Sequence, residues 1–506
     1  MNGTGALFAA IRAEDDAHRS FLIWQRANGA FETISRRGFW AEALHWTTRL
    51  EGLSLADGDR VLIRMDSNPV FLAAWTGALL AGAVPVVIGP AATAGEIGVL
   101  ARLSGARHII SARDTDAGLI GIDVSETQFP EVTALPPARD LGNSPKKLAA
   151  IFPTSGTTSE PKLVCYSQHN LLWAASVSAS HANLDDRSVG CLCLPLNHVN
   201  GMMYSFLASM YRGSAIVLLE QFSAPAFWDA VMKHGCNWAS VVQSVVRALQ
   251  SAGQGPAHGL RNLFWGRYEM RAQEQLGVTM TPWYSMTETV SHPIVGPDVG
   301  KKEGSMGIAA KEYQVRLARE DGSTPSCGSS ARLLVRGTPG KELFLGYFCD
   351  GRVAAPPLDD DGYFDTGDLA HRDEDGHFFY DGRSALMARV GGENVNPLEV
   401  EAIIRMIERV VDVVVVPIGD HLLGQRLVAA VEIRPGVQER ELRASLTSAF
   451  RDIAKYKRPT EVLVVPQMPL TRTAKPDRRM IEALFDDDSM SRLPGAWVLQ
   501  LEDIHA

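Results

Sequence analysis

The feature that most constrains this chain is an alternation of short apolar runs with amphipathic stretches through its first two-thirds. The apolar runs, which are rich in β-branched residues, lie at 60–65, 84–89, 108–112, 214–220 and 331–337. The amphipathic stretches lie at 36–50, 68–81 and 226–235, and their apolar residues recur with helical spacing. Strands that alternate with helices in this way predict an α/β fold in which helices cover largely buried sheets.

The pattern changes near residue 360, which predicts a second domain. Aromatic strands separated by Asp-Gly turns come first, and a compact mixture of helices and strands follows from 397 to 466. We predict a large N-terminal α/β domain of several subdomains, residues 1–384, and a small α+β C-terminal domain, residues 385–506. The sequence has no internal repeat and no low-complexity tract.

Charge and cysteine content exclude several classes of function. The 506 residues carry 49 Lys and Arg against 58 Asp and Glu, a formal net charge of −9, which argues against a nucleic-acid partner. Six cysteines are thinly spread without a Cys-x-x-Cys pair, so neither a zinc cage nor a disulfide framework is indicated. No targeting segment is evident at the start of the sequence, and we expect a cytoplasmic protein.

One uncharged stretch, 70–94, is long enough to span a bilayer. It is rich in Ala and Gly, and Pro85 and Pro90 interrupt it. We therefore interpret it as a buried helix at about 70–81 followed by a strand at 84–88, and we expect no membrane span.

A predicted strand leads into a loop that is rich in glycine and hydroxyl groups. The loop consists of Thr154, Ser155, Gly156, Thr157, Thr158 and Ser159, and Pro161 and Lys162 follow it. Backbone N–H groups, hydroxyl donors and a nearby cation are the groups that bind a polyphosphate. The loop is not a Walker A motif, because Lys162 lacks the preceding Gly and the following Ser or Thr. Taken alone, it is equally well explained as a surface Ser/Thr loop.

Further motifs follow this loop along the chain. They lie at 284–289 (YSMTET), 362–368 (GYFDTGD), 382–383 (GR), 391–401 (GGENVNPLEVE) and 469–475 (PLTRTAK). In this order and at this spacing, the motifs resemble the adenylate-forming superfamily of acyl-CoA synthetases, aryl-CoA ligases, adenylation domains and luciferase. The similarity is closest to the acyl- or aryl-CoA ligases, and it covers nearly the whole chain.

The resemblance implies which residues bind ATP and its metal. The loop would hold the β- and γ-phosphates, with hydroxyl groups from Thr157 and Thr158 and positive charge from Lys162. Glu288 would be a catalytic residue and, with Thr157, a Mg²⁺ ligand, because hard oxygen donors suit a metal that bridges phosphates. The other nucleotide-binding candidates are Thr154, Ser155, Gly156, Tyr284, Ser285, Thr287, Asp368, which would bind the ribose hydroxyls, and Arg383, which would contact ribose and phosphate.

The resemblance also implies that Lys475 is the catalytic lysine of adenylate formation. It would bridge the substrate carboxylate and the α-phosphate as charge develops. In family members the small domain is mobile and rotates between the two half-reactions, which would exchange Lys475 for the 391–397 loop. Gly391 and Gly392 in that loop would let a pantetheine chain approach the backbone closely. Outside this context, the same residues fit a solvent-facing Lys and an ordinary turn.

The acyl-binding segment is the least readable part of the sequence. His198, within PLNHVNG, matches the family segment that lines the acyl site, and it is a candidate gate and catalytic residue. The other pocket candidates are Met202, Val241, Trp265, Gly266 and Arg267. Of these, Arg267 would pair with a polar group of the substrate. Core packing explains the apolar candidates equally well.

Several positions depart from the family pattern. Ser159 and Leu163 stand where the phosphate loop usually has glycines, and bulky Trp265 stands where a small residue is usual and would narrow the acyl pocket. Leu386 occupies the hinge position that is usually Asp or Lys, and Ala474 replaces the Gly that usually precedes the catalytic lysine. The consequences of these changes for loop stiffness and domain rotation stay open.

The resemblance implies an AMP-forming acyl-CoA synthetase. A carboxylic acid would attack the α-phosphorus of Mg·ATP, pyrophosphate would leave, and the acyl adenylate would react with the thiol of coenzyme A to give acyl-CoA and AMP. Two alternatives stay open: a ligase that loads the phosphopantetheine of a separate carrier protein, and a non-catalytic acyl- or nucleotide-binding paralogue. The protein would be a monomer or homodimer. The sequence names neither the acid nor a role for the tail, 484–506.

Overall fold

The computed structural model describes residues 20–53, 55–113, 118–125, 127–130, 146–154, 161–253, 258–297, 300–383, 388–390, 393–420, 423–450, 453, 455–471, 475–485 and 495–500. The chain divides into two compact units. The first unit takes in the chain up to residue 316 with 334–366 and 372–379, and the second takes in 317–333, 367–371 and 380–506. The predicted boundary falls in 384–387, outside the described residues, and it stays a prediction.

The strands are numbered here in chain order over the described part of the chain. They are β1 Ser20–Gln25, β2 Phe31–Ser35, β3 Arg60–Arg64, β4 Val84–Ile88, β5 His108–Ser111, β6 Ile120–Ile122, β7 Leu148–Thr154, β8 Lys162–Ser167, β9 Val189–Leu192, β10 Ala215–Leu219, β11 Trp238–Ser240, β12 Asn262–Trp265, β13 Thr279–Tyr284, β14 Ile294–Val295, β15 Ser305–Ala309, β16 Gln314–Ala318, β17 Ala331–Arg336, β18 Gly346–Cys349, β19 Arg352–Ala354, β20 Tyr363–Arg372, β21 Phe378–Arg383, β22 Ala388–Val390, β23 Glu393–Val395, β24 Val410–Asp420, β25 Gly424–Ile433, β26 Glu461–Val465 and β27 Trp497–Gln500.

The α-helices are numbered in the same way. They are α1 Arg36–Gly52, α2 Pro69–Leu80, α3 Ala94–Ser104, α4 Gln168–His181, α5 Ala208–Arg212, α6 Ala224–His234, α7 Gln243–Ser251, α8 Met270–Leu276, α9 Pro397–Arg405, α10 Glu439–Ala449 and α11 Arg478–Leu484. A π-helical segment, Asn200–Leu207, leads directly into α5, and short 3₁₀ turns occur at Thr287–Thr289 and Lys455–Lys457.

Two mixed sheets form the framework of the first unit. One has the order β19-β18-β8-β7-β4-β3-β5-β6, with parallel pairs from β7 to β6 and antiparallel pairs at the β8 and β18 end. The other runs in parallel from β1 through β10, β9, β11 and β12 to β13, and continues in antiparallel pairs through β14 and β15. The parallel strands are nearly continuous apolar runs, as expected where helices cover both faces of a sheet.

The uncharged stretch that resembles a membrane span is a buried helix and strand, as the sequence predicts. Every residue of α2 except Val70 is buried, and every residue of β4 is buried. The prediction that 68–81 is amphipathic is wrong, because this helix is apolar on every side, as is typical of a helix buried in the core of a large domain. Its start is defined by Asn68, whose side chain accepts a hydrogen bond from the Phe71 N–H, and by Pro69 in the first turn. Within the described ranges, no helix is long and apolar enough to cross a membrane.

The second unit contains a smaller sheet with an apolar cluster on each face. Its strand order is β23-β22-β25-β26-β27, and β24 pairs antiparallel with β25. Along β24, Val413 and Val415 pack into one cluster with α9 and α10, while Val414 and Val416 pack into the other with α11. The valine run therefore uses the two-residue period of a strand to fill both faces. The predicted α+β character of this part of the chain is confirmed.

Helices α1 and α2 approach each other closely at Gly77, where a larger side chain would not fit. A methyl group added at Gly77 would lie 2.5 Å from Trp46 Cβ and 2.7 Å from the Ala43 carbonyl oxygen. We expect Gly77→Ala to lower the free energy of unfolding of the first unit by about 1–3 kcal/mol, because the helices must move apart. Urea unfolding followed by tryptophan fluorescence measures this change.

Gly98 in α3 is the matched control, because a methyl group added there meets nothing within 4 Å. Gly98→Ala should stabilise the unit by about 0.5–1 kcal/mol through helix propensity alone. Equal effects of the two substitutions would contradict the close packing of α1 on α2.

Candidate active site

The predicted metal-binding carboxylate lies just beyond the carboxyl end of β13. Tyr284 ends the strand, and Glu288 follows within the single 3₁₀ turn Thr287–Thr289. The Glu288 side chain is almost fully buried, at 6% exposed. Its Oε1 accepts a hydrogen bond of 2.9 Å from the hydroxyl of Tyr347. A buried carboxylate needs such a donor, because an uncompensated charge inside a protein is costly.

The backbone directly after Glu288 has an unfavourable conformation. Val290 has φ +66° and ψ −42°, a combination that β-branched residues rarely adopt. The Ser291 N–H donates to the Thr289 carbonyl at 2.6 Å, which closes a γ-turn of the rare form with positive φ. Strain of this kind is kept only where surrounding contacts enforce it.

Buried hydroxyl groups supply those contacts. The Tyr166 hydroxyl donates to the Thr287 carbonyl, and the Tyr313 hydroxyl donates to the Thr289 carbonyl at 2.7 Å. The Thr289 hydroxyl donates to the Met286 carbonyl at 3.0 Å. Burial raises the pKa of both tyrosines, so they stay protonated donors at neutral pH. The turn that carries Glu288 is therefore held on both sides.

The predicted phosphate loop joins β7 to β8. These strands pair antiparallel, with Thr154 opposite Lys162 at the mouth of the hairpin. The remaining predicted residues of the loop, Ser155, Gly156, Thr157 and Thr158, and the unusual Ser159, lie outside the described residues. Leu163, which departs from the family pattern, is buried in the core beside Ile88 and Phe348. Its apolar side chain therefore serves packing.

Lys162 and Glu288 contact the same side chain. The Lys162 ammonium lies 5.3 Å from the centroid of the Tyr347 ring, within the range of a cation–π interaction. The hydroxyl of that ring binds Glu288. Two residues that lie in separate sequence motifs are thus joined through a tyrosine that belongs to neither.

Three of the predicted site residues, Asp368, Arg383 and Lys475, lie in the second unit. The Arg383 Nε donates to the Asp368 Oδ1 at 2.8 Å, and Asp368 is only 4% exposed. Lys475 is exposed as a residue, but the protein around its ammonium lowers the pKa. Burial is the largest cause, Arg383 lowers the pKa further, and Asp368 opposes both. The ammonium is therefore close enough to this ion pair to interact with both partners.

A closed loop positions Lys475. The Thr471 N–H donates to the Lys475 carbonyl at 2.7 Å, and the Asp477 N–H donates to the Pro469 carbonyl at 2.9 Å. Asp477 then caps α11 by accepting from the Met480 N–H. Ala474 in this loop, Leu386 at the predicted hinge, and Gly391 and Gly392 lie outside the described residues.

The predicted acyl-pocket residues do not form one group. Met202 belongs to one apolar cluster, and Val241 and Trp265 belong to another. His198 is half-buried at the start of the π-helical segment, and Gly266 is exposed. These placements leave the role of each residue a prediction.

Arg267 already has a partner within the protein. Its Nε and Nη2 both donate to the Glu269 Oε1, at 2.9 and 2.7 Å, and its guanidinium lies 5.5 Å from the Trp265 ring centroid. The predicted pairing of Arg267 with a substrate group would have to compete with Glu269. The two-residue spacing of these opposite charges is a signal that the sequence contains.

A buried aromatic column connects the neighbouring segments, and the sequence did not indicate it. Trp238, Phe264, Trp283, His292 and Tyr204 follow one another with ring-centroid separations of 6.3, 4.2, 4.0 and 4.4 Å. The only sequence signal is the position of His292, four residues after Glu288. The column brings together strands β11, β12 and β13 with the π-helical segment, so it links the regions expected to bind acid and nucleotide.

His292 is a neutral member of this column. It is fully buried, and burial holds its pKa well below the ordinary value, with a smaller contribution from His181. The Ser291 hydroxyl lies 3.2 Å from its Nδ1, while its Nε2 has no hydrogen-bond partner among the described residues. Next to His292, the Nε2 of His181 lies 3.1 Å from the Oε2 of Glu312.

The pair of charges around Lys475 generates a prediction about its reactivity. Only the neutral amine is nucleophilic, so acylation of Lys475 by a trace amine-reactive reagent reports its pKa. Asp368→Asn should lower the pKa and speed labelling, and Arg383→Gln should raise the pKa and slow it. A change of one pKa unit corresponds to about tenfold in rate. Peptide mass spectrometry across pH 7–10 measures both rates.

Lys311, whose side chain is 87% exposed, provides the internal reference in every sample. Shifts of Lys475 labelling in the same direction for Asp368→Asn and Arg383→Gln would contradict the opposing influences of the two groups.

Comparison with known proteins identifies the family of this site. Residues 10–348 match the AMP-binding enzyme family, and residues 399–475 match the AMP-binding enzyme C-terminal domain. A crotonobetaine/carnitine–CoA ligase of Escherichia coli is 28% identical, over 92% of this chain and 96% of that protein.

Solved structures have the same fold. ATP-bound MatB from Rhodopseudomonas palustris has a TM-score of 0.80 at 21% identity, over 97% of this chain and 100% of that chain. The o-succinylbenzoate CoA synthetase MenE from Bacillus subtilis, in complex with its acyl adenylate, has a TM-score of 0.81 at 22% identity, over 95% and 98%. A benzoate CoA ligase from Burkholderia xenovorans has a TM-score of 0.81 at 20% identity, over 95% and 100%.

These likenesses confirm the predicted fold class, a large α/β part with a small α+β part. The family match covers both parts of the chain in the order in which the motifs occur. The resemblance to the adenylate-forming superfamily is thereby confirmed, and this chain belongs to the AMP-binding enzyme family.

Proposed function

We propose that this protein is an AMP-forming acid–CoA ligase. It joins a carboxylic acid to the α-phosphate of ATP with release of pyrophosphate, and then transfers the acyl group to the thiol of coenzyme A. The observation that carries the proposal is the ion pair of Arg383 with the buried Asp368, whose opposite charges both act on the Lys475 ammonium. Family membership and the CoA ligase names of similar proteins support it further.

The first half-reaction must bring two anions together. The carboxylate oxygen attacks the α-phosphorus, and the bond between that phosphorus and the bridging oxygen to the β-phosphate breaks. The Lys475 ammonium would offer N–H donors to the carboxylate and to the α-phosphate oxygens, where charge develops. Asp368 would accept hydrogen bonds from the ribose hydroxyls. Arg383, which Asp368 holds, would contact ribose and phosphate. Catalysis of this kind depends mostly on alignment and charge neutralisation.

The phosphate end of ATP would be held by the first unit. Thr154, Ser155, Gly156, Thr157, Thr158 and Lys162 would bind the β- and γ-phosphates, and Tyr284, Ser285 and Thr287 would line the nucleotide. Glu288, with Thr157, would hold Mg²⁺. Glu288 fits this role as a hard oxygen donor, because its carboxylate is almost fully buried and is held in place by the hydroxyl of Tyr347. Mg²⁺ is typically held by one or two carboxylates and the substrate phosphates, and it neutralises their charge.

The second half-reaction requires a thiol. The thiol sulfur would attack the carbonyl carbon of the acyl adenylate, and AMP would leave. Gly391 and Gly392 would allow a pantetheine chain to lie close to the backbone. We favour coenzyme A over a carrier protein because the similar proteins are named as CoA ligases.

The charges near the predicted acyl pocket favour a monocarboxylic acid. A second carboxylate on the substrate would need a cation as its partner, and Arg267, which is predicted to pair with a polar group of the substrate, already forms an ion pair with Glu269. The buried apolar candidates Met202, Val241 and Trp265 favour an apolar or aromatic acyl group. The predicted pocket residues are unchanged: His198, Met202, Val241, Trp265 and Gly266.

A panel of carboxylic acids tests the proposed function. Mg·ATP, labelled pyrophosphate and each acid are incubated with the full-length protein, and label that enters ATP is measured. We expect acid-dependent exchange that is stronger with aliphatic or aromatic monocarboxylates than with the matching dicarboxylates. Free CoA and a holo carrier protein are then offered separately, and thioester is measured. Absence of exchange with every acid would favour a non-catalytic nucleotide-binding protein.

Lys475→Ala separates the two half-reactions. Adenylate formation should fall by about 100-fold or more, because the charge that develops on the α-phosphate loses its ammonium donor. Thioester formation from supplied acyl adenylate should stay within about twofold, since that step does not use Lys475. Lys311→Ala, on the surface, should change neither rate. An equal fall in the rates of both half-reactions would contradict the role proposed for Lys475.

A further inference from the structure

Tyr347 lies between two groups that the proposed function assigns to the phosphates and the metal. Its hydroxyl donates to the Glu288 Oε1 at 2.9 Å, and its ring centroid lies 5.3 Å from the Lys162 ammonium. Neither contact is local. Lys162 lies in β8, Glu288 lies in the turn after β13, and Tyr347 lies in β18. A single side chain therefore sets the relative placement of a cation and a carboxylate that must act on one polyphosphate.

The backbone around Tyr347 is held firmly. Strand β18 pairs antiparallel with β8, with Gly346 opposite Cys165 and Tyr347 opposite Val164. Gly346 has φ +151°, and a methyl group there would lie 1.9 Å from the Ala354 carbonyl oxygen, so only glycine fits.

The same strand region is tied to the Glu288 turn by the main chain. The Phe344 N–H donates to the Glu288 carbonyl at 3.0 Å. The Phe344 ring also packs edge-on against the Tyr347 ring, at 4.8 Å between centroids. Tyr347 and Glu288 are therefore fixed relative to each other by backbone as well as by side chain.

The chemistry of the pair suits a fixed donor and acceptor. The phenol of a tyrosine ordinarily keeps its proton at neutral pH, so the Tyr347 hydroxyl is the donor and the Glu288 carboxylate is the acceptor. A hydrogen bond from a neutral hydroxyl to a carboxylate is among the stronger ones in proteins. It restricts rotation of the carboxylate group, while the electron-rich face of the ring attracts the Lys162 ammonium.

We propose that Tyr347 is a positioning residue that couples Lys162 to Glu288 and thereby orients the carboxylate toward the metal of Mg·ATP. The inference rests on the proposed function, which assigns phosphate binding to Lys162 and metal binding to Glu288. Tyr347 itself need not touch the nucleotide. Its hydroxyl, through Glu288, affects the binding of ATP with Mg²⁺. Its ring, through Lys162, affects the binding of the phosphates.

Direct ATP binding to the full-length protein tests this inference without knowledge of the acid. Titration calorimetry is carried out with ATP in excess Mg²⁺ and with ATP in EDTA. Tyr347→Phe keeps the ring and removes the hydroxyl, so Mg·ATP affinity should fall about 10-fold while affinity for metal-free ATP stays within twofold. Tyr347→Leu removes both contacts, and it should weaken binding of both forms.

A double-mutant cycle distinguishes positioning from general destabilisation. Glu288→Gln alone should weaken Mg·ATP binding by about 10-fold or more, and adding Tyr347→Phe should cost less than a further twofold, because the two residues act as a unit. Tyr211→Phe, which alters a half-buried tyrosine of α5, is the matched control for loss of a tyrosine hydroxyl and should change neither affinity. Thermal unfolding of every variant checks that it is folded.

The possible outcomes separate the two proposals. If the unaltered protein binds Mg·ATP but Tyr347→Phe binds both forms of ATP as tightly, the role of Tyr347 is wrong and the proposed function stands. Additive losses in the double mutant would also overturn the coupling. If the unaltered protein binds no ATP in either condition, both the inference and the proposed function are wrong.

Discussion

Pairing of β8 with β18 is the contact that places the residues proposed to bind the phosphates and the metal. The two strands are separated by almost two hundred residues along the chain, and one carries Lys162 while the other carries Tyr347. The hydrogen bond from the Phe344 N–H to the Glu288 carbonyl adds a third segment to this junction. Sheet registry therefore decides where charge is placed, because a shift by one residue would turn Tyr347 to the opposite face.

The position of Glu288 also depends on a backbone turn, at residues 287–291, whose conformation is unfavourable without the surrounding contacts. The positive φ of Val290, two residues after Glu288, costs about 1–3 kcal/mol. The hydroxyl groups of Tyr166, Tyr313 and Thr289 each form a hydrogen bond within that turn, worth about 1 kcal/mol apiece. These contributions are of the same size as the strain, so the conformation survives because buried tyrosines surround it. Strain held in this way keeps the Glu288 carboxylate, the proposed metal ligand, in one orientation.

The sequence predicted the elements that depend on local pattern. The apolar runs became strands and the amphipathic stretches became helices, within a few residues at each end, because periodicity and turn residues act over short range. The motif order predicted the family, and it indicated Asp368, Arg383 and Lys475, which the structure brings together. Cytoplasmic location and oligomeric state stay predictions, since periodicity and motifs do not bear on them.

The parts that sequence did not predict are contacts between distant segments. Tyr347, Tyr166 and Tyr313 lie outside the motifs, and only contacts between distant segments reveal that their hydroxyls converge on one turn. The pair of Arg267 and Glu269 is different, because it is local. Two opposite charges spaced two residues apart beside a strand end could have been expected to neutralise each other, which weakens the case for Arg267 as a substrate ligand.

The buried, uncharged His292 has a further consequence, which concerns acid rather than catalysis. When the chain unfolds, this imidazole enters water and regains its ordinary pKa of about 6.5. Below that pH the unfolded chain binds a proton that the native chain refuses, so native stability declines as the solution becomes more acidic. The decline reaches at most about 1.4 kcal/mol for each pH unit, until the native imidazole also titrates. A ring that serves as packing at neutral pH thus becomes a point of weakness in acid.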